Sequence, residues 1–409
     1  MKKVMMVVVA FLSFCIFLPG VDAKEADGTI PFELQGKALE EIQSRAEYLN
    51  VASSNIELRY VRELYHTDDT VIGYYVHIYE GDKIVGYALI SAKESLGTLL
   101  EWGAVDNGVD THYGEILAGN PQQKAYYLTF NDIVFADNLN DLNKILEEAK
   151  QKYIEHAKEY DPSNIKFYEE MNFGIDLREA SIEQNSIEEQ IKSETLMTQE
   201  ISDFSISERD SETLTNDIVS PLATLPDTLS VSRIWQRQSG VANPNSSCGP
   251  TVGVMIANYY RNVRGITEVR NSGYYGNDAK HINQMYYMMN SYFWGTNQYS
   301  FHNGLETQLN LNKNQFTAKS RAYNQSGVEE PTFANVQNAI NKKYPLGVIE
   351  FLNASSGELR YHWTVIAAYN SKGEVGYYDS DGGQYNTGLK FVSWSSLNGK
   401  IGYTYLALN

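Results

Sequence analysis

"NPNSSCGPTVGVMIANYY", residues 243–260, holds Cys248, one of only two cysteines in the 409-residue chain. Turn-forming residues run from Asn243 to Ser247, and Gly249-Pro250 then open an apolar stretch with helical texture. Proline suits the first turn of a helix, where its missing N–H has no intrahelical partner anyway. The stretch therefore reads as a buried helix with a thiol at its start. A thiol there faces unsatisfied N–H groups and the positive end of the helix dipole, which favours thiolate, the nucleophilic form. Gly249 leaves room for a substrate backbone to approach. The competing reading is a small buried hydrophobe, but such a cysteine sits more naturally inside the apolar face, near Val254.

The other cysteine, Cys15, falls in "MKKVMMVVVAFLSFCIFLPGVDA" (1–23). Two lysines, an apolar run and the small-residue exit Val21-Asp22-Ala23 predict a secretory signal peptide cut after Ala23. A lipid anchor on Cys15 would need a small residue where Phe14 stands. No later run of 18 apolar residues exists, so no stable membrane insertion is expected, and the exported chain would keep one thiol with no internal disulfide.

Charge divides the chain. Residues 24–230 hold 40 Asp+Glu against 16 Lys+Arg, a net of −24, and residues 231–409 hold 10 against 15, a net of +5. The basic excess is too mild and too scattered for nucleic acid. Opposite signs do predict attraction between the halves. Residues 24–175 read as a small α+β unit: a helix over "GKALEEIQSRAEYLN" (36–50), alternating strands in "IELRYVRELYH", "TVIGYYVHIYE", "KIVGYALISAK", "GTLLEWGA" and "QKAYYLTFNDIVFAD", and an amphipathic helix over 141–160. This unit carries no catalytic constellation. Residues 176–228, with 13 acidic and 3 basic side chains and Phe204 as sole aromatic, read as an acidic linker that buries too little to order itself. From 229 to 409 the texture is Tyr-, Asn- and Gly-rich. Helices come first and strands follow ("LGVIEFL", "YHWTVIAAYN", "EVGYYDS", "LKFVSWSS", "GYTYLAL"), an α+β domain.

A catalytic thiol needs a base, usually histidine, held by a third group. His362 heads the strand "HWTVIAAYN", and Asp379 lies 17 residues on in "YYDSDGG", across a turn that would bring the two together. An aspartate there fixes the imidazole tautomer and stabilises its charged form. Asp381 competes for that role, and a structural strand histidine is the plain alternative for His362. His281 and His302 lie on polar helical patterns and read as surface residues. An oxyanion donor is also needed. Gln238 is preferred over Gln236, both in "RIWQRQSG", with the Cys248 N–H as second donor. "DSDGG" starts like a calcium loop but lacks the third ligand and the closing glutamate, and no metal or phosphate-binding motif occurs, so neither metal nor cofactor is expected.

At "SCGPTVGVMIANYY", "HWTVIAAYN" and "YYDSD" the sequence resembles papain-like cysteine peptidases of the branch related to double-glycine bacteriocin-leader peptidases, over 229–409. The resemblance implies a papain-like fold, Cys248 as nucleophile, His362 as base, Asp379 as orienter and Gln238 as oxyanion donor, acting on a peptide or protein substrate. The transporter and nucleotide-binding segments of leader-processing exporters are absent from the sequence. Residues 24–175, through "VGYALISAKESLGTLLEWG", resemble the propeptides of secreted bacterial cysteine peptidases such as streptopain. This implies a proenzyme whose own N-terminal domain is an intramolecular inhibitor covering the active-site face. A cell-wall peptidase or acyltransferase with the same triad, and a degenerate extracellular binding module, are the alternatives.

Overall fold

The computed structural model describes residues 29–105, 108, 110, 113–129, 132–160, 169, 189, 228–291, 295–322, 328–350, 362–381, 388–397 and 401–409. The expected signal peptide and, apart from Glu189 and Thr228, the expected linker lie outside the described residues.

The N-terminal unit runs α1 (Phe32–Gln43), α2 (Ala46–Leu49), β1 (Ile56–Tyr65), β2 (Val71–Glu80), β3 (Lys83–Ser91), β4 (Leu99–Ala104), α3 (Gly114–Gly119), β5 (Lys124–Thr129), β6 (Asp132–Ala136) and α4 (Leu139–Tyr160). The helix expected over 36–50 is two helices, interrupted at Ser44-Arg45, where the Arg45 guanidinium turns inward to a carboxylate far along the chain. Gly81 takes the positive φ of 62° that the tight β2–β3 turn requires.

The C-terminal domain runs α5 (Cys248–Asn258), α6 (Ser272–Tyr275), α7 (Asp278–Met288), α8 (Gln298–Asn310), β7 (Phe316–Ala322), α9 (Phe333–Asn341), β8 (Leu346–Glu350), β9 (His362–Tyr369), β10 (Glu374–Asp379), β11 (Lys390–Ser393), α10 (Trp394–Leu397) and β12 (Ile401–Leu408). Helix α5 is buried from Cys248 to Ala257, as an all-apolar helix must be. Side chains of Asn277, Asn297 and Thr332 accept backbone N–H bonds at the starts of α7, α8 and α9, which sets where those helices begin. "LKFVSWSS" is not one strand. It turns helical at Trp394, where Ser396 Oγ donates to Ser393 O and the two hydroxyls of Ser393 and Ser395 bond each other. Serines offering local bonds of this kind compete with a ladder.

Among the described residues the strands form one 12-stranded sheet in the order β6-β5-β1-β2-β3-β4-β11-β10-β9-β8-β12-β7. Both halves of the chain therefore share it, joined by antiparallel pairing of β4 with β11 (Gly103↔Lys390, Trp102↔Phe391, Glu101↔Val392). At this seam Trp102 stacks on Phe391 with centroids 4.6 Å apart, and Tyr48 packs edge-on to both. Ala368 and Phe391 of the C-terminal domain belong to the same apolar cluster as Ile42, Leu49, Val76 and Trp102 of the N-terminal unit. Gly103 lets the strands close: a Cβ there would come within 3.1–3.3 Å of Tyr87 and Lys390.

Two buried carboxylates on the seam are paired across it. Glu374 accepts from Arg45 (Nη2 2.7 Å, Nε 3.3 Å), from Trp102 Nε1 (3.1 Å) and from Asn370 (2.5 Å). Glu101 accepts the hydroxyls of Tyr87 (2.8 Å), Tyr113 (2.9 Å) and, from the other half, Tyr377 (2.8 Å). Removing one member of such a set strands a buried charge. Glu374→Ala is expected to cost about 3 kcal/mol in urea unfolding, and Arg45→Met together with Glu374→Met to recover most of that loss. An unchanged Glu374→Ala midpoint would show that the seam charges are not what holds the halves.

Candidate active site

The loop before α5 is tied down residue by residue. Ser246 N–H and Ser247 Oγ both bond to the Asn243 carbonyl, at 3.1 and 2.6 Å. Gln236 Nε2 donates to the Pro244 carbonyl at 2.9 Å. Cys248 follows as the first helical residue, 4% exposed. Gly249 has a use that its sequence reading did not include: a Cβ there would lie 2.8 Å from Thr296 and 3.2 Å from Trp363. The missing side chain lets the helix start sit against β9, which holds the thiol close to the strand that begins with His362.

The β9–β10 hairpin carries a register shift between Gly376 and Tyr377. Before it Gly376 opposes Ala368, and after it Asp379 opposes Thr364. A one-residue slip flips the face on which a side chain lies. Unshifted, Asp379 would oppose Val365 and face away from His362. With the shift it shares the face of Thr364 and His362, on the diagonal that cross-strand neighbours can span. His362 Nε2 lies 2.9 Å from Asp379 Oδ1, and Cys248 is a second hydrogen-bond partner of the imidazole. With Nε2 on the carboxylate, Nδ1 is the ring nitrogen left for the thiol. Thiol, imidazole and carboxylate thus form one hydrogen-bonded line.

Burial by itself would push the His362 pKa down. The charge and hydrogen bond of Asp379, the bond to Cys248 and the charge of Glu350, which faces His362 across the β8–β9 ladder, outweigh it and hold the pKa well above the usual histidine range. Asp379 is itself braced. Its Oδ1 accepts the Asp381 N–H (2.8 Å), its carbonyl accepts Arg233 Nε (2.6 Å), and Lys390 Nζ stands 3.8 Å from Oδ2. Lys390 is 1% exposed, and burial lowers its pKa against the opposing charges of Asp379 and Glu101.

The two alternatives left open by the sequence are placed differently. Asp381 turns to Arg237, which grips both of its carboxylate oxygens and also bonds Asn245 at 2.5 Å. That guanidinium links the loop before Cys248 to the loop after Asp379. Gln236 is buried. Its Oε1 accepts from Ser380 Oγ (2.9 Å) and its N–H donates to the Ser380 carbonyl (2.9 Å), so it sits between the Cys248 loop and the residue after Asp379. Gln238 instead donates to Trp235 O at 3.0 Å, within its own turn. The mutual placement of Arg237, Gln236 and Ser380 is not visible in the sequence, where Gln236 and Gln238 stood only as alternatives for one role.

His281 is not a surface residue: it is fully buried and stacks on Tyr275 at 4.5 Å. Gln308 Nε2 donates to its Nε2 (3.0 Å), so Nδ1 carries the proton and faces Ser272 Oγ (3.4 Å). His302 is half-buried, with Nδ1 2.7 Å from Ser320 Oγ on β7, an edge strand of the sheet. Among the described residues no group of three or more His, Cys, Asp or Glu is arranged to hold a metal ion. The same residues include no helix long and apolar enough to cross a membrane.

Residues 228–399 match the model of the "Peptidase_C39 like family". Two solved structures are similar. The peptidase domain of Streptococcus ComA, a bi-functional ABC transporter involved in a quorum sensing pathway, is 14% identical, covering 44% of this chain and 99% of that one with a TM-score of 0.28. A cysteine-to-alanine mutant fragment of Prevotella intermedia prointerpain A is 12% identical, covering 85% of this chain and 98% of that one with a TM-score of 0.40. A search of the curated proteins finds no match.

Burial holds the His281 pKa down at about 3 and that of His77 at about 4. An unfolded histidine binds its proton near pH 6.5, so between that pH and the folded values the unfolded state holds more protons. Stability should therefore fall as pH drops from about 6.5 towards 3. His281→Gln is expected to flatten this fall in urea unfolding measured from pH 7 to pH 4. An unchanged slope would mean that His281 is not held neutral.

Proposed function

We propose that this chain is a secreted cysteine peptidase, made as a precursor, that hydrolyses peptide bonds of a peptide or protein substrate. The observation that carries the reading is the hydrogen-bonded line Cys248–His362–Asp379 at the start of a buried helix. Cys248 gives its proton to His362 and its sulfur attacks the substrate carbonyl. The tetrahedral oxyanion takes the Cys248 backbone N–H and a side-chain amide as donors. Collapse expels the amine, which receives the proton from His362, and leaves a thioester. Water, deprotonated by His362, then releases the acid and restores the thiol. Asp379 keeps the imidazole oriented throughout and favours its charged form.

We assign the amide donor to Gln236 in place of Gln238. Gln236 is fixed between Pro244, in the loop before the nucleophile, and Ser380, beside the orienting carboxylate, and one of its two amide hydrogens remains after the Pro244 bond. Asp381 is assigned to Arg237, away from the imidazole. An intact line from thiol to carboxylate favours an active enzyme over a binding module on the same fold. The composition of residues 1–23 supports export. The acidic linker supports a precursor in which the N-terminal unit and linker restrain the site as an internal inhibitor until the linker is cut.

Incubating the purified full chain should give self-cleavage within 176–228, absent in Cys248→Ala, and a thiol-directed epoxide should label Cys248. If neither occurs while a reduced thiol is present, the peptidase reading is wrong.

Cys248→Ala and His362→Ala are expected to abolish peptide hydrolysis with folding intact. Asp379→Asn should cut kcat at least ~100-fold and move the alkaline limb of kcat/KM to lower pH, because the imidazolium loses its carboxylate. Gln236→Ala should lower kcat ~100-fold with little change in KM, and Gln238→Ala should stay within a few-fold of the parent. Equal losses at both glutamines would leave the donor unassigned to Gln236.

A further inference from the structure

We propose that the N-terminal unit is a lasting partner of the peptidase domain: after the linker is cut, the two pieces remain together as a two-chain protein joined along β4 and β11. The inference rests on the seam and not on peptidase activity.

Three features of the seam separate it from the contact of a detachable cap. First, the pieces share a hydrophobic core. Ala368, Phe391 and the flanking Leu389 pack in the same cluster as Trp102, Tyr48 and Ile42, so parting them would expose a stacked Trp–Phe pair and its surroundings to water. Second, parting them would leave β11 and β4 as naked sheet edges, each with a row of unpaired backbone groups. Third, two buried carboxylates at the seam take partners from the opposite side, Glu374 from Arg45 and Trp102, and Glu101 from Tyr377.

The seam also differs from what the charge split suggests. Its buried ion pair sets a cation of the acidic half, Arg45, against an anion of the basic half, Glu374. The pair matching the gross charges, Lys372 with Glu41 at 2.5 Å, is part-exposed. Exposed pairs are screened by salt and contribute little, whereas a buried apolar seam is indifferent to ionic strength. Attachment is therefore expected to survive high salt.

The experiment uses the full chain as Cys248→Ala, with a recognition sequence for a site-specific protease placed between residues 176 and 227, so self-processing plays no part. After complete cutting, the two pieces should co-elute on gel filtration at micromolar concentration in both 0.05 M and 1 M NaCl. In the same protein Trp102→Ala should weaken association by at least ~30-fold, the loss typical of a buried aromatic anchor. Lys372→Ala, which removes only the exposed pair, should leave co-elution unchanged. Separation of the cut parent into two folded pieces at 0.05 M NaCl, or co-elution unaffected by Trp102→Ala, would overturn the proposal.

Discussion

The one-residue shift in the β9–β10 ladder is the constraint on which the site depends. Everything else around Cys248 could be in place, with the helix formed, the thiol buried and the imidazole at the head of its strand, and the carboxylate would still face the wrong way. The shift occurs at Gly376-Tyr377, where the hairpin approaches the seam: Tyr377 carries the hydroxyl bonded to Glu101, and a side chain at position 376 would meet Ala368, Leu389 and Phe391. The irregularity that aligns Asp379 with His362 is thus packed against the contact with the N-terminal unit. Bulges commonly re-aim a side chain next to an active site, and here the bulge lies against packing from the neighbouring unit.

From Asp379 outward the polar groups form a graded series. The carboxylate favours the charged form of His362, Lys390 stands on the far side of that carboxylate, and Glu101 of the neighbouring unit lies within electrostatic reach of Lys390. Alternating signs of this kind let several ionisable groups remain buried together, since each is the counter-charge of the next. Arg237 and Asp381 form a second, more exposed pair that ties the two loops of the site without touching the imidazole.

Much of this was legible in the residues. The thiol at a helix start, the histidine at a strand head and the α+β order all follow from local texture, and the turn between β9 and β10 put Asp379 within reach of His362. Other features depend on contacts that no local pattern encodes. Separation in sequence gave no hint that β4 and β11 pair, because edge pairing depends on shape and burial. The charge halves pointed to electrostatic docking, yet the buried pair has the reverse polarity. His281 looked exposed since its neighbours are polar, but Tyr275 and Gln308 arrive from other elements to enclose it. Gln238 looked the better donor by spacing, and only the bonds of Gln236 to Pro244 and Ser380 separate the two. Gly249 looked like space for substrate, and the space belongs to Thr296 and Trp363.

The seam has a further consequence for how the chain is made. Synthesis proceeds from the N-terminus, and domains generally fold as units in that order. Strands β1 to β4 precede β11 by most of the chain's length, so the C-terminal half can meet an edge already formed, with its hydrogen-bonding groups and the Trp102 ring on display. A long-range β pairing is slow when both strands must find each other as open chain. With β4 already in its sheet, only β11 has to find its partner, and the first half of the protein can serve as the surface on which the second half takes its register.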